Sequence, residues 1–200
     1  MLHFSKFIPA CFLALCTVAV SGCEGGKDSE ETEASVTPLP PVAPPPSPTA
    51  PGKIVFSEIM ANPAALADRD GEWFELANQG GSSIDLRNCV VADDSTVNFT
   101  IVDELIVDAG MFQTFANGPN PGFLPGFDYG ASGMSLNNSD ETLTLTCNGI
   151  VIDQIAYTAS SSGRSFSLSG NGNANWCDDT VNDYGAGDTG TPGQPNIDCP

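Results

Sequence analysis

Five consecutive residues, Asp68-Arg69-Asp70-Gly71-Glu72, have the types and spacing to hold a divalent cation. Calcium takes about six to eight oxygen ligands, and Asp-x-Asp-Gly brings carboxylates around a tight turn. Counted from Asp68, the twelfth position of the loop, where an EF-hand carries Glu, is Gln79, so the pattern is incomplete. A solvated turn leading into a strand explains the same residues. Asp178, Asp179, Asp183 and Asp188 make a second acidic stretch, equally well explained by turn chemistry, since Asp, Asn and Gly accept unusual backbone angles. Trp73 and Trp176 offer flat rings that can stack on sugars, or large apolar surfaces to bury in a core. Phe123 and Phe127 lie in a Gly/Pro-rich loop, 118–127. Loops of that kind carry recognition more often than strands do, although both rings can instead cap a core.

The same inventory excludes much of enzymology. The one His is His3, inside what reads as a removable leader. A chain starting after that leader has no His for a Ser-His-Asp triad, a Cys-His pair or a His-ligated zinc. No Ser has Gly at both flanking second positions, so a nucleophile elbow is absent. Lys27 and Lys53 are the only lysines beyond the leader, and neither sits where a Ser-Lys dyad would need it. Among 25 Asp and Glu residues some pair will meet the glycosidase separation by chance, and nothing marks one. The expectation is a non-enzyme with no cofactor, the candidate being calcium at Asp68, Asp70 and Glu72, with Asp178, Asp179, Asp183 and Asp188 a second calcium candidate. Only 6 Lys and Arg oppose those 25 acids, for a net charge of −19, which excludes a phosphate-tracking surface and with it nucleic acid as a partner.

The elements that position these residues come in three segments. Residues 1–22 hold a short positive end, Lys6, and an apolar stretch from Phe7 to Val20. That stretch is too short for a spanning helix and reads as a secretory signal. It ends Val20-Ser21-Gly22-Cys23, which resembles the bacterial lipobox. The resemblance implies cleavage before Cys23 and lipidation of its thiol, hence a membrane partner and a place in the cell envelope; Glu24 next to the anchor points to the outer membrane. Losing Lys6 with the leader moves the net charge to −20. Residues 23–52 are first acidic, then dense in proline from Pro38 to Pro51, with no apolar periodicity. They read as a disordered tether, and its Pro-rich half spans roughly 40 Å at the rise of polyproline II.

Residues 53–200 alternate short apolar runs with Gly, Asn, Asp and Pro clusters, the pattern of an all-β sandwich. Strands are expected near 54–60, 72–78, 86–91, 98–102, 111–116, 142–147, 150–157 and 165–168. In Thr142-Leu143-Thr144-Leu145-Thr146 the leucines face in and the threonines out. Asn148-Gly149 suits a tight turn, so 142–147 should pair with 150–157. Cys89, Cys147, Cys177 and Cys199 are even in number and lie in an oxidising compartment, so two disulfides are expected. Three pairings are open. Cys89 with Cys147 and Cys177 with Cys199 is preferred, because it joins two core strands and pins a glycine-rich tail. No CxxC pair supports a four-cysteine zinc site.

The ordered runs Ile54-Val55-Phe56-Ser57-Glu58-Ile59-Met60, Gly71-Glu72-Trp73-Phe74-Glu75-Leu76-Ala77-Asn78, Ile84-Asp85-Leu86-Arg87-Asn88-Cys89, Leu136 to Leu145, Val151 to Tyr157 and Gly190-Thr191-Pro192-Gly193-Gln194-Pro195-Asn196, with Trp176 before the last, carry a resemblance. Together they resemble the lamin tail domain family across most of 53–197. The resemblance implies an immunoglobulin-like β-sandwich used for interaction or attachment, with no catalytic residues to carry over. The chain departs from lamins in having no coiled-coil rod, and from multidomain bacterial members in having no attached enzyme domain. The expectation is a surface-displayed binding or adhesion module for an envelope or extracellular protein or glycan. A self-associating envelope subunit is the alternative, and a calcium-dependent hydrolase a more distant one.

Overall fold

Alternating β-branched and aromatic residues, punctuated by Gly, Asn and Pro, leave the chain little but strands to form. The computed structural model describes residues 43–200 apart from Ala186. The expected leader, Cys23 and the expected tether up to residue 42 lie outside the described residues. In chain order the strands are β1 (Ile54–Met60), β2 (Trp73–Asn78), β3 (Ile84–Asp85), β4 (Val90–Ala92), β5 (Asn98–Thr100), β6 (Ile106–Val107), β7 (Phe112–Ala116), β8 (Phe127–Asp128), β9 (Glu141–Cys147), β10 (Ile150–Tyr157), β11 (Phe166–Leu168), β12 (Trp176–Asp178), β13 (Asp183–Gly185) and β14 (Asp188–Thr189). A four-residue helix, α1 (Asp68–Gly71), precedes β2. Among the described residues no helix is long and apolar enough to cross a membrane.

Two sheets face each other. One has the order β12-β11-β1-β2-β7-β8 and the other β10-β9-β4-β5, with β3-β6 and β13-β14 as separate small ribbons. The inner faces meet in one apolar core. Phe56, Phe74, Leu76 and Phe115 come from the larger sheet, and Val91, Phe99, Leu143, Leu145 and Ile152 from the smaller. Phe74 stacks on Phe115 with centroids 4.9 Å apart, and Phe99 on Tyr129 at 5.3 Å. This is the all-β sandwich that the sequence pattern predicts, with the immunoglobulin-like form that the family resemblance implies.

The β9–β10 hairpin forms as expected. Asn148 and Gly149 take φ of 52° and 76°, the left-handed angles a two-residue turn demands, and Ile150 pairs with Cys147. β1 carries a bulge. Its register against β2 slips between Phe56 and Glu58, so Ile54 and Phe56 face the core before the slip and Ile59 after it. Glu58 and Met60 thereby turn to the outer side. The Phe56 N–H at the bulge donates to Asp153 Oδ2 at 2.7 Å, tying the two sheets together.

Two disulfides close the fold: Cys89–Cys147, between β9 and the residue before β4, and Cys177–Cys199, across the tail.

The structure departs from the expected strands at 86–91. Only Val90 and Val91 of that run are strand, as the start of β4, because Cys89 N–H donates back to Leu86 O and Asn88 sits at φ 66°, a turn inside the run. Six short strands, β3, β6, β8, β12, β13 and β14, were not expected from periodicity. The end of the Pro-rich segment also lies against the sandwich: Pro48 is buried, and Asp85 N–H donates to Pro46 O at 3.1 Å.

Candidate functional site

The outer face of the larger sheet is where the chain spends its polar chemistry. The bulge in β1 sets Glu58 directly opposite Glu75 of β2, and both are fully buried. Two buried carboxylates side by side are costly unless each is hydrogen-bonded, and among the described residues no cation is paired with either. Hydroxyls and the C-terminal tail supply the donors instead. Glu58 accepts from Ser165 and Ser167 hydroxyls, from Thr191 N–H at 2.9 Å and from Thr191 Oγ1 at 3.0 Å. Glu75 accepts from Ser57 Oγ at 2.7 Å and Gly193 N–H at 2.6 Å. Burial raises the carboxyl of Glu58, and these bonds only partly offset it. Burial, with a smaller push from the charge of Glu58, raises Glu75 to about 8. Through Thr191 and Gly193 the pair clamps the tail.

Gly190 makes the clamp reachable. A Cβ there would lie 2.9 Å from Ser165 Oγ, 3.0 Å from Glu58 Oε1 and 3.1 Å from the Trp73 ring. Only a residue without a side chain lets the backbone come that close. Asn196 completes the attachment, donating to Ser57 O at 2.6 Å and Leu168 O at 2.9 Å.

Beside the clamp lies an open cleft. Trp73 is fully buried, and its indole N–H donates to the Tyr184 hydroxyl at 3.1 Å. Phe123 and Tyr184 meet the indole edge-on, each with its centroid 5.5 Å away, and meet one another at 5.9 Å. Gly122, at φ 104°, allows this, since a Cβ there would be 3.4 Å from the Tyr184 ring. Phe123 and Tyr184 form one side of a cleft of about 560 Å³; Asn182, Thr191, Pro192 and Gln194 contribute to the rest, and no lining side chain is charged. The volume is in the range of small-molecule sites.

The sequence-predicted residues scatter. Asp68 and Asp70 are exposed on α1, where Asp68 accepts from Asn138 Nδ2 at 3.1 Å and Asp70 pairs with Arg69 at 3.3 Å. Glu72 turns inward instead, accepting from Asn117 Nδ2 at 2.9 Å, Leu136 N–H at 3.0 Å and the Ser135 hydroxyl. Burial raises its carboxyl despite these bonds. The three do not converge, and among the described residues no group of three or more His, Cys, Asp or Glu is placed to hold a metal. In the second acidic stretch, Asp179 and Asp188 are buried as turn acceptors, for Val181 and Asn182 N–H and for Ala64 and Ala65 N–H respectively. Trp73 packs under the tail and has no face for a ligand. Phe127 stacks on Phe99 at 5.5 Å as part of the core margin, and Trp176 stacks on Phe166 at 5.0 Å. Phe123 alone of the predicted aromatic residues lines the cleft. Tyr184, Asn182 and Gln194 were missed; they fall in the tail, whose sequence reads as Gly- and Asp-rich coil.

The four-stranded sheet presents a different outer face. The rows Val151-Thr146-Val90-Thr100 and Gln154-Thr144-Ala92-Asn98 run across all its strands, and Ala156-Thr142 adds a third. None of these side chains is charged, and all are exposed or half-exposed.

The model of the Lamin Tail Domain family matches residues 47–159. No curated protein matches the chain. The matched stretch covers β1 to β10 and Phe123; Trp176, the Gly190–Asn196 run and the rest of the cleft lie beyond it. The matched stretch is more than half of the chain, and the chain belongs to the lamin tail domain family.

Proposed function

We propose that this chain is a membrane-anchored, surface-displayed, non-catalytic binding or adhesion module for an envelope or extracellular protein or glycan. The family is an immunoglobulin-like interaction fold and generally non-catalytic. The observation that carries the reading is the uncharged, aromatic-walled cleft at Phe123 and Tyr184 in a chain of net charge −19. Most of the acids that are buried are committed to holding the chain's own backbone and hydroxyls, and the cleft is a concave surface with free polar groups. Lipidation of Cys23 holds the module at the outer membrane, and the tether projects it. Calcium has no part in this reading.

The test is capture by the detergent-solubilised full-length chain from envelope and extracellular fractions. A partner retained by the native chain and lost with Phe123→Ala supports the reading. Retention unaffected by that change moves binding elsewhere on the domain. Absence of any retained material contradicts it.

The charge-free outer face of the four-stranded sheet favours a second reading, self-association into an envelope assembly. Two such faces can meet without bringing the acids of two strongly negative chains into contact. Sedimentation over a wide concentration range tests it: a mass that rises with concentration and stays monomeric with Thr144→Lys supports it, and a constant monomer mass refutes it.

A further inference from the structure

We infer that the cleft walled by Phe123 and Tyr184 is a binding site for a neutral sugar, a pyranose unit of an uncharged glycan. The inference rests on the reading of this protein as a binding module and narrows its ligand.

Charge removes two classes of ligand. An anionic group would enter the field of a chain with 25 acids and 6 bases, and no lining residue is basic. A cationic group would find no carboxylate on the lining; Glu58, which touches the lining residue Thr191, has its oxygens filled by Ser165, Ser167 and Thr191, and Asp179, which touches Asn182, accepts from Val181 and Asn182. Hydrogen-bonding capacity removes a third. A purely apolar ligand would leave the cleft's polar groups unpaired on desolvation, at a cost for each.

Those groups are specific in kind. The Tyr184 hydroxyl accepts from the Trp73 indole N–H, so its own proton is left to donate. Burial raises its pKa further above the ordinary phenol value, so it stays a donor at all physiological pH. Asn182 gives its amide N–H to Asp179 Oδ2 at 2.8 Å, and no donor among the described residues reaches its Oδ1. Gln194 gives an N–H to Gly193 O at 2.8 Å and is exposed, with its Oε1 likewise unengaged. One hydroxyl donor and two amide acceptors thus surround a wall of aromatic carbon. A pyranose has that complement: one face of C–H groups, slightly positive, that settles on the negative face of an aromatic ring, and a rim of hydroxyls that both donate and accept. The indole beneath holds Phe123 and Tyr184 in place before any ligand arrives, so little ordering entropy is lost on binding.

The experiment is affinity electrophoresis and titration of the full-length chain in detergent. The panel is neutral gluco-, manno-, galacto- and N-acetylglucosamine-configured oligosaccharides, with a polyuronate and a Pro-rich peptide beside them. The expected result is saturable binding of at least one neutral oligosaccharide and none of the polyuronate. Phe123→Ala should weaken binding by about tenfold or more, and Tyr184→Phe, which keeps the ring and removes the donor, by several-fold. Gln194→Ala, on an exposed side chain, should weaken binding without touching the fold, and covers the case in which Phe123→Ala unfolds. Binding of the polyuronate or the peptide in preference, or binding of sugar unaltered by all three changes, overturns the inference. A captured protein that Phe123→Ala releases, with no sugar bound, sinks the sugar and leaves the binding-module reading standing; neither capture nor sugar binding sinks both.

Discussion

The two sheets use their outer faces in opposite ways. In β9, buried and half-exposed residues alternate strictly from Glu141 to Cys147, and the outward threonines meet solvent. In β2, all six residues from Trp73 to Asn78 are buried. Both strands are central and antiparallel, and both send aromatic or aliphatic side chains to the same core. What separates them is the tail, which returns more than a hundred residues later to roof the outer face of the larger sheet. The tail adds polar interactions as well as burial: Glu58 and Glu75 are on that face because donors from Thr191 and Gly193 meet them there. The roofed face therefore gains a cleft at its margin, and the open face keeps a plain surface.

The largest effect expected from this contrast is at Trp73. Trp73→Ala removes the ring on which Phe123, Tyr184 and Gly190 converge, and should cost about 3–5 kcal/mol in denaturant unfolding. Replacing Cys177 and Cys199 with Ser frees the tail and should cost about 2–5 kcal/mol, with loss of the cleft. Raised carboxyls give the roofed face a pH signature. A group whose value rises on folding takes up a proton as the chain folds. Its contribution is therefore complete below the unfolded value of 4.5 and is lost as pH rises through about 8 for Glu75. Stability should fall by a few kcal/mol, on the order of the shift itself, across that window, and Glu75→Gln should flatten the curve. A stability that climbs between those pH values would contradict the burial of the pair. Gly190→Ala should cost about 1–3 kcal/mol through the contacts a Cβ would make. On the open face, Thr144→Ala should change stability by no more than about 0.5 kcal/mol; a larger loss would show that this face is covered too.

The same contrast marks what the sequence made legible. β9, β10 and their Asn-Gly turn are readable because one face is wet and one dry, so period two survives in the residue pattern. The run Glu72 to Leu76 reads as a strand, with Phe74 and Leu76 on the inner side, but its acids look like solvent residues until the tail is placed over them. Asp183-Tyr184-Gly185 and Asp188-Thr189 are too short to show any period, and their position depends on contacts such as Trp73 Nε1 to Tyr184, 111 residues apart. Phe123 was visible as a loop aromatic, whereas Tyr184 and Asn182 become part of a site only through that long-range packing. The Asp68–Glu72 run divides because the strand register sends Glu72 inward to Asn117 and Leu136 while α1 holds the two aspartates in solvent.

The central claim is that the roofed face, through its cleft, is where this protein meets its partner. The most direct measurement compares retention of envelope and extracellular material by three full-length chains: native, Phe123→Ala and Thr144→Lys. The account predicts that Phe123→Ala loses the partner and Thr144→Lys keeps it. Loss with Thr144→Lys and retention with Phe123→Ala would place recognition on the open sheet and contradict the account.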